Sequence, residues 1–189
     1  MRRMVLLLLL VPQFCFAAGD QQWHIGWLLG AVNSKVNDPS GSTNTNTTTL
    51  WKDIVVQYDL SRDNRLFAIV DGYSYKLAAT PDLIGQSVSH TGGTLSLQHQ
   101  LRVSRTFKPW FGIGAGFANE SFAPRYTVTS TGFLLNHYSD RTASGPLAIA
   151  NATAQWRFIS DTELGVHLQY EHGFNGLSNT FLFSLMLSY

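Results

Sequence analysis

The sequence predicts an all-β fold, an eight-stranded antiparallel up-and-down transmembrane β-barrel. Apolar residues recur with period two in eight runs along the 189 residues, the pattern of strands that alternate lipid-facing and lumen-facing side chains. The connections between these runs alternate between long and short. Only 13% of the residues are charged while 44% are hydrophobic, which is less charge than a water-facing surface usually carries.

The first two runs each have one face that is clearly more apolar than the other. In the first, Trp23 and Trp27 lie opposite His24, and in the second Ile54 lies opposite Asp53. The eight predicted strands, in chain order, cover residues 23–32, 50–60, 65–76, 94–104, 109–118, 148–158, 164–171 and 181–189.

The next three runs differ in how regularly they alternate. The third is mixed, because if Arg65 and Asp71 point into the lumen, Phe67 must share the lumen with them. The fourth alternates leucine and valine with serine, glutamine and arginine, and leaves His99 as its one polar residue on the lipid face. The fifth alternates apolar residues with glycines at 112, 114 and 116, which leave lumen space for large neighbours and permit tight curvature.

The last three runs repeat the pattern. The sixth alternates alanines and Trp156 with Asn151 and other polar residues, and the seventh sets Leu168 against Gln169. The eighth places Phe181 and four further apolar residues on one face. An even number of strands puts both ends of the barrel chain on the same side of the membrane.

The connection lengths support a sheet that closes into a barrel, and they indicate which end of the barrel faces the periplasm. The second, fourth and sixth connections are the short ones, as expected for periplasmic turns. A sheet in hydrocarbon must close on itself because its edges would leave backbone N–H and C=O groups without partners. The predicted connections are 33–49, 61–64, 77–93, 105–108, 119–145, 160–163 and 172–179.

The inward faces predict an ion-paired and hydrogen-bonded polar lumen. A barrel of eight strands has an interior that side chains roughly fill. His167 and Glu171 share the inward face of one strand, and we expect them to pair with Arg102 or Arg157. The predicted polar core is Asp53, Asp71, Gln98, Arg102, Arg157, His167 and Glu171.

The N-terminus has the layout of an exported protein. A short basic start is followed by the apolar run 5–11 and by small residues at Cys15 and Ala17, which is typical of a signal peptide. We expect cleavage after Ala17, so that residues 1–17 are the signal peptide and residues 18–189 form the barrel domain. The expected location is the cell outer membrane.

The chain resembles the small outer-membrane β-barrels of the OmpA/OmpX type. The resemblance rests on the aromatic and glycine-rich strand 108–117 and on the C-terminal strand, which is similar to the assembly signal that this family presents to the outer-membrane insertion machinery. Tyr189 stands where a terminal Phe is commoner. The resemblance implies a monomer in contact with outer-membrane lipid and lipopolysaccharide. The assembly-signal residues would be Phe181, Phe183, Leu185, Leu187 and Tyr189.

The longest connection, 119–145, is the predicted contact site for a partner. It mixes apolar and charged residues, and loops carried by a rigid scaffold often bind partners. Alternation between Tyr126 and Tyr138 suggests a hairpin that projects from the membrane, either as a strand edge to which a partner adds a strand or as a solvated projection that contacts lipopolysaccharide. We expect a non-enzymatic, adhesin-like or envelope-structural protein that contacts a host-surface or envelope protein through Arg125, Tyr126, Phe133, Tyr138 and Arg141.

Other functions are less well supported. A narrow channel for small solutes is the main alternative. His137 and Ser139 resemble the His-x-Ser element of lipid A deacylases, but they lie in a long loop with Asp140 as the only nearby carboxylate. The six His form no tight ligand spacing, so no metal or cofactor is predicted. The balance of 13 Lys+Arg against 12 Asp+Glu argues against nucleic-acid binding.

Overall fold

Eight long strands form one closed antiparallel barrel, which confirms the predicted fold class. The computed structural model describes residues 23–36, 49–79, 84–101, 107–159 and 162–189. The predicted signal peptide and Arg102 lie outside these residues. No helix in the described part of the chain is long and apolar enough to cross a membrane.

The strands run in the order β1, β10, β9, β8, β5, β4, β3, β2 around the barrel, and β6 and β7 form a separate two-stranded hairpin. Their bounds are β1 (Trp23–Lys35), β2 (Thr49–Ser61), β3 (Asn64–Leu77), β4 (Gln86–Gln100), β5 (Phe107–Phe122), β6 (Arg125–Val128), β7 (Leu134–Tyr138), β8 (Arg141–Ile159), β9 (Thr162–Gly173) and β10 (Asn179–Ser188).

The first and last strands close the barrel. β1 pairs with β10 in a continuous register from Gly26 opposite Ser188 to Lys35 opposite Asn179. Each of the eight strands therefore has a hydrogen-bonded neighbour on both sides. A sheet without edges is the arrangement that lets strands cross a membrane.

Side chains alternate between the lumen and the outer face along each barrel strand. On β3, Arg65 and Phe67 are both buried in the lumen, which confirms the mixed inner face predicted for this strand, while Val70 on the outer face is 70% exposed. On β5, Ile113 is 75% exposed. Many large apolar side chains share this outer face, which suits contact with lipid rather than with water.

The two ends of the barrel differ. The turn end holds the start of β1, the end of β10 and residues 62–63, which connect β2 to β3. The loop end holds the longer connections. Because outer-membrane barrels have short periplasmic turns and longer extracellular loops, we expect the loop end to face outward from the cell.

The barrel strands extend further at the loop end than the sequence predicts. β4 begins at Gln86 instead of residue 94, and β5 and β8 are paired as far as Phe122 opposite Arg141, so the predicted connections 77–93 and 119–145 are too long. Ser87 and Ser89 point outward at the start of β4. Backbone pairing continues there without an apolar outer face, and the alternation of hydrophobicity that marks a strand is lost.

Glycines allow neighbouring strands to pack closely, and this gives a first prediction. A Cβ at Gly30 would overlap the carbonyl oxygen of Phe183, whereas at Gly72 the nearest atom would be 4.0 Å away. We expect Gly30→Ala to lower the free energy of unfolding by about 1–3 kcal/mol, the usual cost of overpacking. Gly72→Ala is the matched control and should leave it nearly unchanged. Urea unfolding in detergent micelles measures both, and equal effects would contradict the prediction.

Candidate functional site: the lumen and the loop-end hairpin

The turn half of the lumen is organised around Arg65. Its Nε donates to Oε1 of Gln98 at 2.7 Å, and its Nη1 donates to Oε1 of Gln155 at 2.5 Å and to Oε1 of Gln57. The guanidinium also lies 4.0 Å from the ring centroid of Trp110. Three amide oxygens and an aromatic face thus stabilise one buried cation.

The middle of the lumen is a layer of amides, hydroxyls and aromatic rings. Nε2 of Gln98 donates to Oδ1 of Asn151 at 2.9 Å. Nδ1 of His167 lies 2.9 Å from the hydroxyl of Thr153, and the His167 ring stacks on Phe67 at 4.9 Å between centroids. Side chains from β3, β4, β8 and β9 meet in this layer, and they are buried.

The loop half of the lumen holds a group of acids around one histidine. Asp71, His90, Glu120 and Glu171, which we call the acid–histidine cluster, come from β3, β4, β5 and β9 and are all buried. Nδ1 of His90 lies 3.3 Å from Oε1 of Glu120, and Nε2 lies 3.7 Å from Oδ2 of Asp71. Oε1 of Glu171 accepts a hydrogen bond from Gln169 at 2.8 Å.

The loop-end hairpin, β6 with β7, is attached to the barrel rim by Arg125. Nε of Arg125 donates to the carbonyl oxygen of Ile84 at 2.9 Å, and Nη2 donates to that of Ala78 at 3.4 Å. The backbone N–H of Ile84 donates to the carbonyl oxygen of Tyr126 at 3.0 Å. These bonds connect the hairpin to the segment between β3 and β4 and give it a defined position.

The tip of the hairpin carries two exposed apolar side chains next to its polar turn residues. Gly132 has a positive φ of 85°, which suits a tight turn. The amide of Phe133 donates to the Thr129 hydroxyl at 2.9 Å. The side chains of Phe133 and Leu134 are 72% and 59% exposed. The hairpin thus presents two large apolar side chains at the loop end.

The structure buries five of the seven residues predicted for the polar core. Arg102 lies outside the described residues. The prediction is wrong for Arg157, which is exposed. It lies near the turn-end terminus of β8, one inward-facing position beyond the buried Gln155 and next to a register shift between Arg157 and Ile159. The five buried residues are Asp53, Asp71, Gln98, His167 and Glu171.

The expected pairing of His167 and Glu171 with Arg157 is also wrong. His167 contacts the Thr153 hydroxyl and Phe67, and Glu171 accepts from Gln169. Alternation places residues on a face but does not set their height along the barrel axis. Arg157 lies at the turn end, whereas Glu171 lies near the loop end of β9.

The predicted hairpin is present, but the prediction that Arg125 contacts a partner is wrong. Arg125 is 1% exposed and is occupied with backbone carbonyls, so it is a structural anchor and is not available to a partner. Arg141 lies over the ring of Phe122, 3.9 Å from its centroid. Tyr126 and Tyr138 are half-buried, and Phe133 is exposed.

The two candidate catalytic residues lie at the end of β7, and the candidate assembly signal lies on β10 and at Tyr189. Ser139 is exposed between β7 and β8, and the side chain of His137 lies outside the described residues. The assembly-signal residues Phe181, Phe183, Leu185, Leu187 and Tyr189 all lie on the outer face of the barrel or at its turn end and are exposed. Their role in assembly stays a prediction.

Sequence reasoning missed the two residues that complete the acid–histidine cluster. His90 and Glu120 fall within the predicted connections 77–93 and 119–145, because the strands extend further than the alternation predicts. The sequence signal that could identify them is their two-residue spacing from the inward-facing residues of the predicted strands. On β4, every second residue before the inward-facing Thr94 also faces inward, and this series includes His90. The same two-residue series on β5 includes Glu120.

Solved structures with the same fold are small outer-membrane barrels. Neisserial surface protein A matches with a TM-score of 0.59 at 12% identity over 90% of this chain and 97% of that one. OprG of Pseudomonas aeruginosa gives 0.58 at 9% identity over 90% and 98%. The attachment invasion locus protein of Yersinia pestis, Ail, gives 0.51 at 9% identity over 89% and 100%. No protein-family profile and no curated protein matches the sequence.

Proposed function

We propose that this chain, which has the fold of the small outer-membrane β-barrels, is a non-enzymatic, adhesin-like surface protein of the outer membrane. In this proposal the loop-end hairpin contacts a protein on a host surface or in the envelope. The observation that carries it is the apolar tip of an anchored hairpin at the loop end. One of the structures with this fold is described as an attachment invasion locus protein.

The tip is suited to contact a protein partner. Phe133 and Leu134 are more exposed than most apolar residues on the outer face of the barrel. They lie beyond the paired barrel strands, so contact with lipid does not account for their exposure. Binding energy at protein interfaces is concentrated in a few large side chains that fill pockets on the partner. The bonds of Arg125 reduce the entropy that would be lost when the hairpin is ordered on binding.

The filled lumen favours a surface role over a narrow channel. The bonds of Arg65 to Gln98 and Gln155 cross the turn half of the lumen, and Phe67 stacks on His167 above them. A solute would have to displace this buried network. The channel alternative predicts discrete conductance steps in planar bilayers, which the surface role does not require.

The apolar tip gives the second prediction. We expect the double variant Phe133→Ser with Leu134→Ser to weaken binding to host cells or matrix by at least about tenfold, because tenfold corresponds to ~1.4 kcal/mol and a central apolar contact typically contributes more. Binding is scored at matched surface levels. Ser139→Ala, which changes an exposed polar residue close to the hairpin, is the control and should bind like the unchanged protein.

A larger change tests the same proposal without relying on two side chains. Because Phe122 and Arg141 are directly paired, residues 123–140 can be replaced by a two-residue Asn-Gly turn of the kind that joins antiparallel strands. Loss of binding with normal insertion supports the proposal. Equal binding by the intact and shortened barrels, or no binding by either, contradicts it. The Ser139→Ala protein also tests the hydrolase alternative, which requires altered lipid A acylation.

A further inference from the structure

The acid–histidine cluster brings three potential metal ligands together across the lumen. Asp71, His90 and Glu171 come from β3, β4 and β9, and the ligand atoms that they offer lie within 4.8 Å of one another. The three residues are 5%, 2% and 0% exposed. β9 is separated from β4 by β8 and β5 around the barrel, so the group spans the interior.

The atoms that converge here lack hydrogen-bond partners. Both carboxylate oxygens of Asp71, Nε2 of His90 and Oε2 of Glu171 are buried without a hydrogen-bond partner, and the 3.7 Å between Nε2 of His90 and Oδ2 of Asp71 is too long for one. Buried polar atoms are nearly always satisfied, because desolvating them without compensation is costly. Four such atoms on three neighbouring side chains point to a ligand between them.

The carboxyl groups of the cluster also outnumber the basic side chains in contact with them. Asp71, Glu120 and Glu171 are three buried carboxyl groups, and among the described residues His90 is the only basic side chain in ion-pair contact with them. Arg65 lies in the turn half with its amide partners. A protonated His90 would balance one carboxylate at most. A divalent cation would instead be bound by the neutral form of His90, and it would balance two of the three carboxylates.

His90 has the orientation of a metal ligand. Its Nδ1 faces Oε1 of Glu120 at 3.3 Å, while Oε2 of Glu120 accepts from the amide and the hydroxyl of Ser178, each at 2.9 Å. The ring is stacked on Tyr73 at 4.5 Å. A carboxylate that holds one ring nitrogen and leaves the other for the metal is the usual outer-shell arrangement of ligating histidines.

Gly92 leaves room for the ligand atoms to meet. A Cβ at this position would lie 2.8 Å from Oδ1 of Asp71 and 3.2 Å from Nε2 of His90. Both atoms therefore approach the same point of the β4 inner face, and a side chain at Gly92 would push them apart.

We propose that Asp71, His90 and Glu171 bind a divalent transition-metal ion, with Zn²⁺ as the preferred ion, and that Glu120 is the positioning residue that orients His90. One imidazole nitrogen with carboxylate oxygens is a donor set that Zn²⁺ accepts at about 2.0–2.2 Å, whereas Mg²⁺ and Ca²⁺ prefer oxygen alone. The ion would connect β3, β4 and β9 across the loop half of the lumen. This proposal does not depend on the function of the hairpin.

The test uses the untagged mature chain refolded in detergent micelles, because an oligohistidine tag would itself bind zinc. After treatment with a chelator, ZnCl₂ is titrated while bound zinc per chain and the thermal unfolding midpoint are measured. We expect about one Zn²⁺ per chain and a midpoint that rises with zinc concentration, as mass action requires for a ligand of the folded state. A folded chain that retains no zinc and shows no rise overturns the proposal.

Variants locate the ion. His90→Gln and Glu171→Gln should each abolish stoichiometric binding, and Glu120→Gln should weaken it by about 10–100-fold, the usual effect of losing an outer-shell partner. His99→Gln removes an exposed histidine on the outer face of the same strand and should bind like the unchanged protein. Undiminished binding by folded Glu171→Gln, or an equal loss in His99→Gln, would place the zinc elsewhere and overturn the assignment. Tighter binding of Ca²⁺ than of Zn²⁺ would overturn the choice of metal.

Discussion

Arg65→Ala should lower the free energy of unfolding of the barrel by about 3 kcal/mol. The change removes the only donor that the described structure gives to Oε1 of Gln98 and deprives the Gln57 and Gln155 carbonyls of a charged donor. Hydrogen bonds to charged groups contribute roughly 1.5–3 kcal/mol each, and the desolvation of the buried guanidinium offsets part of their sum. Loss of the packing against Trp110 adds to the effect.

Arg157→Ala is the matched control, because it removes the same side chain from an exposed position on β8. It should change the free energy of unfolding by no more than ~0.5 kcal/mol. Urea unfolding of both variants in the same micelles, followed by tryptophan fluorescence, gives the comparison. If Arg65→Ala were as stable as Arg157→Ala, the amide network would not be an important source of stability.

Ile113→Arg should destabilise the membrane-inserted barrel by about 2–4 kcal/mol, the measured range for a cation on the lipid face near the bilayer midplane. Ile113 is 75% exposed on the outer face, in the apolar stretch of β5. In a water-facing strand the same change would be nearly neutral. The effect therefore depends on lipid contact and is measured by unfolding from phospholipid vesicles.

Ser121→Arg provides a control on the same strand and the same face. Ser121 is exposed near the loop end of β5, beyond the apolar stretch, so the cost should fall to about 0–1 kcal/mol, as near an interface. Equal costs at both positions would mean that the apolar outer face is not in lipid.

The barrel could be predicted from the sequence because its strands obey one periodic rule. In β4, Leu95 and Leu97 alternate with Ser96 and Gln98, and the structure places the first pair outward and the second inward. The alternation arises because the outer face contacts lipid and the inner face contacts packed polar groups. Where the outer face meets water instead of lipid, as around Ser89, the rule no longer applies, and the predicted β4 is therefore too short at its loop end.

The candidate sites could be predicted only in part, because they depend on contacts between distant strands. Asp71 and Glu171 were correctly assigned to the lumen, but their convergence with His90 depends on the heights of β3, β4 and β9 along the barrel axis. Arg125 looks like an exposed loop cation in sequence. Its burial follows from carbonyl groups of Ile84 and Ala78, more than forty positions away, which no local pattern indicates.

We expect the barrel to cross the outer membrane with the loop-end hairpin outside the cell. The single cysteine of the sequence is Cys15, within the predicted signal peptide, so cysteines introduced elsewhere report their own position. Thr131 lies at the hairpin tip and Arg62 lies in a turn-end connection, and both are exposed.

The most direct measurement labels intact cells that express Thr131→Cys or Arg62→Cys with a maleimide coupled to a polymer too large to cross the outer membrane. We expect Thr131→Cys to be labelled on intact cells, and Arg62→Cys to be labelled only after the outer membrane has been permeabilised. The unchanged protein should remain unlabelled throughout. Labelling of Arg62→Cys on intact cells, or protection of Thr131→Cys until permeabilisation, would contradict the orientation and with it the proposed role of the hairpin.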